Sequence, residues 1–168
     1  VTGGAAMSIK VWSGLVAQDI LRQLYLYHLA VEEVEVEAEK LYRHYCQKVI
    51  QLAEKRSIDG VVHTAQLGWQ WLSLKRLLKW ASHDFRKMEQ RYSGNQTFRT
   101  VFVSGDLLTK GNDVASNGLF RMLANKGIRT VYEPMCDFME YTSRLQPALL
   151  FGKGSKPRKN LVYQTNML

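Results

Sequence analysis

Acidic residues follow two predicted strands in the central stretch of this 168-residue chain. An apolar run at 101–103 leads to Asp106, and a β-branched run at 128–131 leads to Glu133. Asp137 lies one turn further on, at the start of a predicted helix. Carboxylates gathered in one place can move protons or hold a cation. The alternative is that they serve as turn and cap residues, which Asp does routinely.

The loop after the first predicted strand could bind an anion. Gly111 comes directly before Asn112, whose side chain can cap a helix, and such a turn can point backbone N–H groups at a phosphate. Any tight turn between a strand and a helix would look the same. The nucleotide-binding motifs GxGxxG and GxxxxGK[ST] do not occur. The predicted ligand-binding residues are Asp106, Gly111, Asn112, Asn117, Glu133 and Asp137.

The two cysteines and four histidines give weaker signals. Cys136 follows Pro134 at a predicted helix start, where the helix dipole lowers a thiol pKa and favours thiolate. The alternative for Cys136 is a small buried residue. Cys46 lies inside a predicted helix and is expected to be structural. The histidines are scattered without an HExxH pattern, so we predict no metal ligands and no catalytic residues.

The chemistry-bearing residues are placed by a predicted strand–helix–strand–helix unit. The first helix is expected to begin at Asn112 and Asp113, to carry Val114 and Met122 on its apolar face, and to stop at Gly127. Parallel strands joined by a helix open their following loops on the same edge of the sheet. Residues 104–113 and 133–137 should therefore face a common crevice.

Three helices are predicted before this unit. They span Ser8 to about Ala30 with Ser8 as N-cap, Val31 to about Arg56, and Val61 to about Tyr92. The predicted fold class is α/β, an N-terminal helical segment plus a βαβα unit with a small parallel sheet. We divide the chain into a helical segment (1–94), the βαβα unit (95–150) and a basic flexible tail (151–168), expected to form one compact domain.

The third predicted helix is basic and rich in tryptophan. Basic residues interleaved with Trp can mark a nucleic-acid-binding surface. The favoured interpretation is that Trp69, Leu72 and Trp80 belong to the core, because they share the helical spacing of Leu77, and that the basic side chains extend along them. Nucleic acid is therefore a disfavoured partner.

Composition limits the class of protein. Hydrophobic residues make up 46% of the chain, enough for a core, and the net charge is +8. No stretch approaches the ~18 apolar residues of a membrane span, so no membrane association is expected. Two distant cysteines suit a reducing, cytoplasmic setting. The start, VTGGAAMSIKVW, is unlike a natural start or a signal peptide, and predicts a piece excised from a longer protein.

The central stretch resembles one family, the dehydratase-like region of proteins related to activators of 2-hydroxyacyl-CoA dehydratases (the 2-hydroxyglutaryl-CoA dehydratase component D group). The resemblance extends from about Ser8 to Tyr141. In the predicted helix KVWSGLVAQDIL, Asp19 matches the acidic position of the family. The other matching residues are Gly105-Asp106, Asn117, Leu123 with Gly127, Val131, Pro134, Asp137-Phe138 and Tyr141.

This resemblance implies a supporting or CoA-pocket domain without catalytic activity of its own. The parent protein would be a lyase of the dehydratase type or its activator. The expected ligand is a CoA thioester, and the expected partners are the other domains of the parent chain. The family's [4Fe–4S] cluster needs about four thiolates, and this chain has two cysteines, so the cluster is expected elsewhere. The alternative is a structural or interaction domain that packs its tryptophans on those other domains.

Overall fold

Three long helices come first in the chain. The computed structural model describes residues 3–32, 36–54, 62–92, 97–105 and 114–151. Helix α1 spans Gly3–His28, α2 spans Glu37–Glu54 and α3 spans Val62–Tyr92. The three predicted helices are present, but Ser8 lies inside α1 and does not cap it. None of the helices in these ranges is both long and apolar enough to cross a bilayer.

Helix α2 begins at Glu37, later than the predicted start at Val31. Val36, just before it, has a left-handed backbone with φ of 79°. The Glu32 carboxylate lies outside the helix and accepts a 2.9 Å hydrogen bond from the backbone N–H of Ala38. Glu32 therefore caps α2 from outside, satisfying one of the N–H groups that a helix start leaves open.

Two short strands form a parallel sheet. Strand β1 spans Arg99–Val103 and β2 spans Ile128–Tyr132, in register from the pair Arg99–Ile128 to the pair Val103–Tyr132. Helix α4, Leu119–Asn125, lies between them in the chain, and α5, Met135–Phe151, follows β2. The predicted fold class, a helical segment plus a small α/β unit, is confirmed.

Helix α4 is shorter than predicted at its start. Residues 114–118 form turns, and successive left-handed residues at Asn117 (φ 51°) and Gly118 (φ 68°) separate them from the helix. Val114 and Met122, predicted on the apolar face, are exposed. The predicted cap at 112–113 lies outside the described residues. Gly127 has φ of 68° and donates to the carbonyl of Ala124, so the predicted stop is confirmed.

The buried side chains form two adjoining clusters. One joins the three long helices: Ala17, Leu21, Tyr45, Val49, Leu77 and Ala81. The other brings α4 and β2 onto the helices: Tyr25, Leu26, Leu29, Ala38, Phe85, Met88, Phe120, Ala124 and Tyr132. The helical segment and the α/β unit therefore share buried apolar contacts, and α1 contributes to both clusters.

Candidate functional site

The carboxyl ends of the two strands lie side by side, as the sequence predicts. The backbone N–H of Glu133 donates to the carbonyl of Val103 over 3.1 Å. The Ser104 hydroxyl donates to Oε2 of Glu133 over 3.0 Å. Ser104 is exposed and Glu133 is half-buried. This edge therefore presents a carboxylate that a hydroxyl from the neighbouring strand end already contacts.

The six predicted ligand residues lie partly within the structure. Three are outside the described residues: Asp106, Gly111 and Asn112. Asn117 is exposed in the turn before α4, and Asp137 is exposed in the first turn of α5. Glu133 and Asp137 thus flank the start of α5, each with a carboxylate. The ligand role of all six stays a prediction.

The start of α5 is capped by a residue from α1. Oδ2 of Asp19 accepts a 2.8 Å hydrogen bond from the backbone N–H of Cys136, and Oδ1 accepts one of 2.8 Å from the Tyr132 hydroxyl. Burial and this contact with Asp19 raise the pKa of Tyr132 above its ordinary value. A helix start attracts anions, and here the chain supplies its own.

The outer edge of β2 is covered by an amide side chain from the same helix. Nε2 of Gln23 donates to the carbonyl of Thr130 over 3.3 Å, and its Oε1 accepts from the backbone N–H of Tyr132 over 3.1 Å. One side chain thus provides the donor and the acceptor that a neighbouring strand would offer. Sequence reasoning identified no role for Gln23.

The cysteine thiols are held in their neutral form. Cys136 is buried, and burial together with its contact to Asp19 raises the pKa of the thiol to about 12. These effects outweigh the helix dipole, so the alternative of a small buried residue is the correct one, not a thiolate. Burial also raises the pKa of Cys46, whose Sγ donates to Oε1 of Gln18 over 3.3 Å.

A charged cluster joins α1, α3 and β2. The Arg129 guanidinium lies between the rings of Tyr27 and Phe98, 4.6 Å from each centroid, and its Nη2 is 2.5 Å from Oε1 of Glu89. Oε2 of Glu89 lies 3.4 Å from Nε2 of His28. The cluster therefore fixes the α/β unit against the helices through an ion pair, which sequence spacing does not reveal because its members are far apart in the chain.

His28 is the buried titratable group of this cluster. Its Nδ1 lies 2.8 Å from the carbonyl of Leu24. Burial lowers the pKa of His28, while that carbonyl and the Glu89 carboxylate oppose the shift. The neutral ring is therefore favoured in the folded protein, and the tautomer with hydrogen on Nδ1 satisfies the Leu24 carbonyl.

No metal centre is evident in the part of the chain that the structure describes. Within those ranges, no group of three or more His, Cys, Asp or Glu side chains is placed to hold an ion. The arrangement at the strand ends instead consists of turn, cap and edge contacts. It could bind a ligand that donates hydrogen bonds to Glu133 or Asp137, since ionised carboxylates only accept them.

An apolar groove opens at the other end of the helical segment. It lies where the first half of α1, the end of α2 and the first half of α3 meet. Its walls are mainly apolar and include Ile9, Val49, Leu52, Trp71 and Leu74. Ile9 and Trp71 in these walls are exposed, as are Trp12, one turn after Ile9, and Ile50, next to Val49.

The tryptophans of α3 are exposed, which corrects the predicted core positions. Trp69 is 68% exposed and Trp80 is 56% exposed, and Leu72 is also on the surface. Leu77 is buried as predicted. Apolar residues occur on both sides of α3 at helical spacing, and only one side can face α1 and α2. The side that faces α1 and α2 carries leucine, alanine and phenylalanine.

Comparisons with protein-family models, with curated proteins and with solved structures find no match for this chain.

Proposed function

We propose that this chain is a non-catalytic interaction domain that docks on another domain of a larger, dehydratase-related protein. The observation that carries the proposal is the apolar end of the helical segment, where the exposed side chains of Ile9 and Trp71 line the groove and exposed Trp12 lies one turn after Ile9. Contiguous exposed apolar surface rimmed by polar residues is typical of an interaction site. We call this surface the docking end.

The shape of the docking end suits an apolar side chain of a partner. Trp71 and Leu74 form one wall of the groove and Val49 and Leu52 another. The polar residues of the lining are Lys10, Ser13 and Gln70, and Gln70 donates to the carbonyl of Leu52 over 3.5 Å. Buried aromatic and aliphatic anchors inside a polar rim supply most of the binding energy in protein interfaces.

The opposite end of α1 supports the same proposal by contrast. Asp19 occupies the helix start that follows β2, at the carboxyl edge of the sheet where an α/β unit most often binds a small ligand, and Gln23 covers the lateral edge of β2 beside it. Groups that already pair with each other must exchange partners before they bind anything else. The arrangement at this end of α1 therefore favours a supporting role for the chain over binding of a small ligand.

The test of the docking end uses the purified chain, 8-anilinonaphthalene-1-sulfonate (ANS) fluorescence and sedimentation velocity. We expect ANS fluorescence from the native protein and concentration-dependent self-association, because exposed apolar patches bind the dye and one another. The double substitution Ile9→Gln and Trp12→Gln should weaken both signals. A monomer at every concentration with no ANS fluorescence would contradict the proposal.

The matched control for this test is Met122→Gln. Met122 is 54% exposed on α4, away from the docking end, so its loss removes apolar surface without touching the groove. Equal loss of ANS fluorescence in both variants would mean that the dye reports scattered apolar residues. Circular dichroism of each variant checks that the helices are retained.

A second candidate is CoA-thioester binding at the carboxyl edge of the sheet. Its support is the contact between Ser104 and Glu133, which brings the two strand ends together as a shared pocket requires. The +8 net charge would attract the phosphates of CoA. Glu133 and Asp137 would not contact those phosphates; they would accept hydrogen bonds from the amide groups of the pantetheine arm.

Thermal unfolding with acetyl-CoA tests the second candidate. A ligand at 100 times its Kd stabilises the folded state by about 2.7 kcal/mol, which raises Tm by several degrees in a protein of this size. Glu133→Gln should reduce that rise if the carboxylate accepts from the ligand. An unchanged Tm at millimolar acetyl-CoA would exclude binding by this chain.

A further inference from the structure

We infer that the outer face of α3 binds single-stranded nucleic acid, by stacking bases on its exposed indoles and pairing its cations with phosphates. This inference does not rest on the docking proposal, which concerns a different surface. The outer stripe, as we call this face, consists of eight exposed residues: Trp69, Leu72, Arg76, Lys79, Trp80, His83, Arg86 and Lys87.

The outer stripe is continuous along the helix. Its members recur at steps of three and four, so they lie along one side of α3 over about 27 Å. The opposite side of the helix carries Leu77, Ala81, Phe85 and Met88, all buried against α1 and α2 or the α/β unit. Trp71 belongs to neither set, because it lines the groove of the docking end.

The charge of the outer stripe is uncompensated. Within the described ranges, no carboxylate pairs with Arg76, Lys79, Arg86 or Lys87. The two acidic residues of α3 have partners other than these four cations. Asp84 accepts a hydrogen bond from the Tyr45 hydroxyl and contacts His83, and Glu89 pairs with Arg129 and His28. Asp84 touches the stripe at His83, and the four cations still leave this face net positive, which attracts a polyanion.

The position of Trp80 favours a strand with accessible bases. Its exposed indole has Arg76 one turn before it and His83 one turn after it, with Lys79 adjacent. Base–aromatic stacking does not depend on sequence, and it requires an unpaired base next to a bound phosphate. The stripe provides both contacts within about one helical turn.

An anionic membrane surface fits this pattern less well. A helix that lies in a membrane interface keeps its apolar face and its charged face apart. On α3, the cations share a single face with Trp69, Leu72 and Trp80, and the other face is already packed. The combination of interleaved rings and cations is what single-strand binding requires.

Fluorescence anisotropy with labelled oligothymidine of about 20 nucleotides tests the inference in the whole chain. We expect binding at about 50 mM salt, quenched Trp fluorescence, and a slope of log K against log salt of about −3, from four phosphate contacts. Trp80→Ala should weaken binding about ten-fold. Lys79→Gln with Lys87→Gln should reduce the slope by about 1.4.

Two controls separate this surface from general basicity. Lys40→Gln with Lys126→Gln removes the same charge from exposed positions on α2 and beyond α4 and should leave the slope near the wild-type value. Trp12→Ala removes an exposed indole from α1 and should leave affinity unchanged. Absence of binding at low salt, equal effects of the two charge pairs, or binding to phosphatidylserine vesicles without binding to the oligonucleotide would overturn the inference.

Discussion

The two halves of α1 differ in what surrounds them: one contacts polar partners within the chain, and the other carries exposed apolar side chains. Near its end, Asp19, Gln23 and His28 pair with β2, α5 and Glu89, so these three polar side chains have their partners within the chain. Near its start, Ile9 and Trp12 are exposed beside an apolar groove. The comparison indicates that the C-terminal half of α1 holds the α/β unit against the helices, whereas its N-terminal half leaves apolar surface exposed.

The largest loss of stability is expected from removing Arg129, which joins the α/β unit to the helices near the C-terminal end of α1. Arg129→Met leaves Glu89 partly buried beside His28 without its cation, and we expect a loss of about 3 kcal/mol in the free energy of unfolding. Urea unfolding measures it. Arg43→Met is the control, because Arg43 pairs with Glu39 on the exposed surface of α2 and should cost about 0.5 kcal/mol or less. Equal losses would remove the distinction.

The second prediction concerns the shared cap. Asp19→Ala deprives the Cys136 N–H and the Tyr132 hydroxyl of their acceptor, and we expect a loss of about 2 kcal/mol. Asp137→Ala removes an exposed carboxylate from the first turn of α5 and should cost about 0.5 kcal/mol. If Asp137→Ala proved the more damaging substitution, our account of the α5 start would be wrong.

The third prediction is a pH dependence with a smaller effect than the loss of Asp19. Because burial lowers the pKa of His28, the unfolded chain binds more protons than the folded protein just below pH 6.5. The free energy of unfolding should therefore fall as the pH drops below 6.5 toward the pKa of the folded state. Urea unfolding at several pH values measures this. His28→Gln should flatten this pH dependence, whereas His83→Gln, which changes an exposed ring, should leave the pH dependence unchanged.

The smallest effect is expected on the outer stripe. Trp80→Ala should change the free energy of unfolding by about 0.5 kcal/mol or less, since the ring is more than half exposed. Leu77→Ala, three residues earlier and buried, should cost about 3 kcal/mol. Thermal unfolding of the two variants compares them. A large loss for Trp80→Ala would mean that the indole supports the fold and is not available to a ligand.

Local patterns predicted the elements of this fold well. Helical spacing identified α1, α2 and α3, the β-branched runs identified both strands, and Gly127 marked the end of α4 because it tolerates a left-handed backbone. The start of α2 was predicted wrongly, since Glu32 caps the helix from outside and no local rule distinguishes that position from a first-turn glutamate.

The contacts at the candidate site could not be predicted in the same way. Asp19 reaches Cys136 and Gln23 reaches Tyr132 across more than 100 residues of sequence, so neither partner is visible from its neighbours. The exposed tryptophans were missed for a related reason. Apolar residues line two faces of α3, and only the packing of α1 and α2 decides which face is buried.

The amide of Gln23 also determines which edge of the small sheet can accept another strand. An edge strand with open N–H and C=O groups can template pairing with another chain, and Gln23 occupies those groups on Thr130 and Tyr132. The carbonyl of Val103 faces β2, and strand alternation turns the backbone groups of Thr100 and Phe102 the other way. Any added strand would therefore extend the sheet from β1, and β2 resists edge-to-edge aggregation.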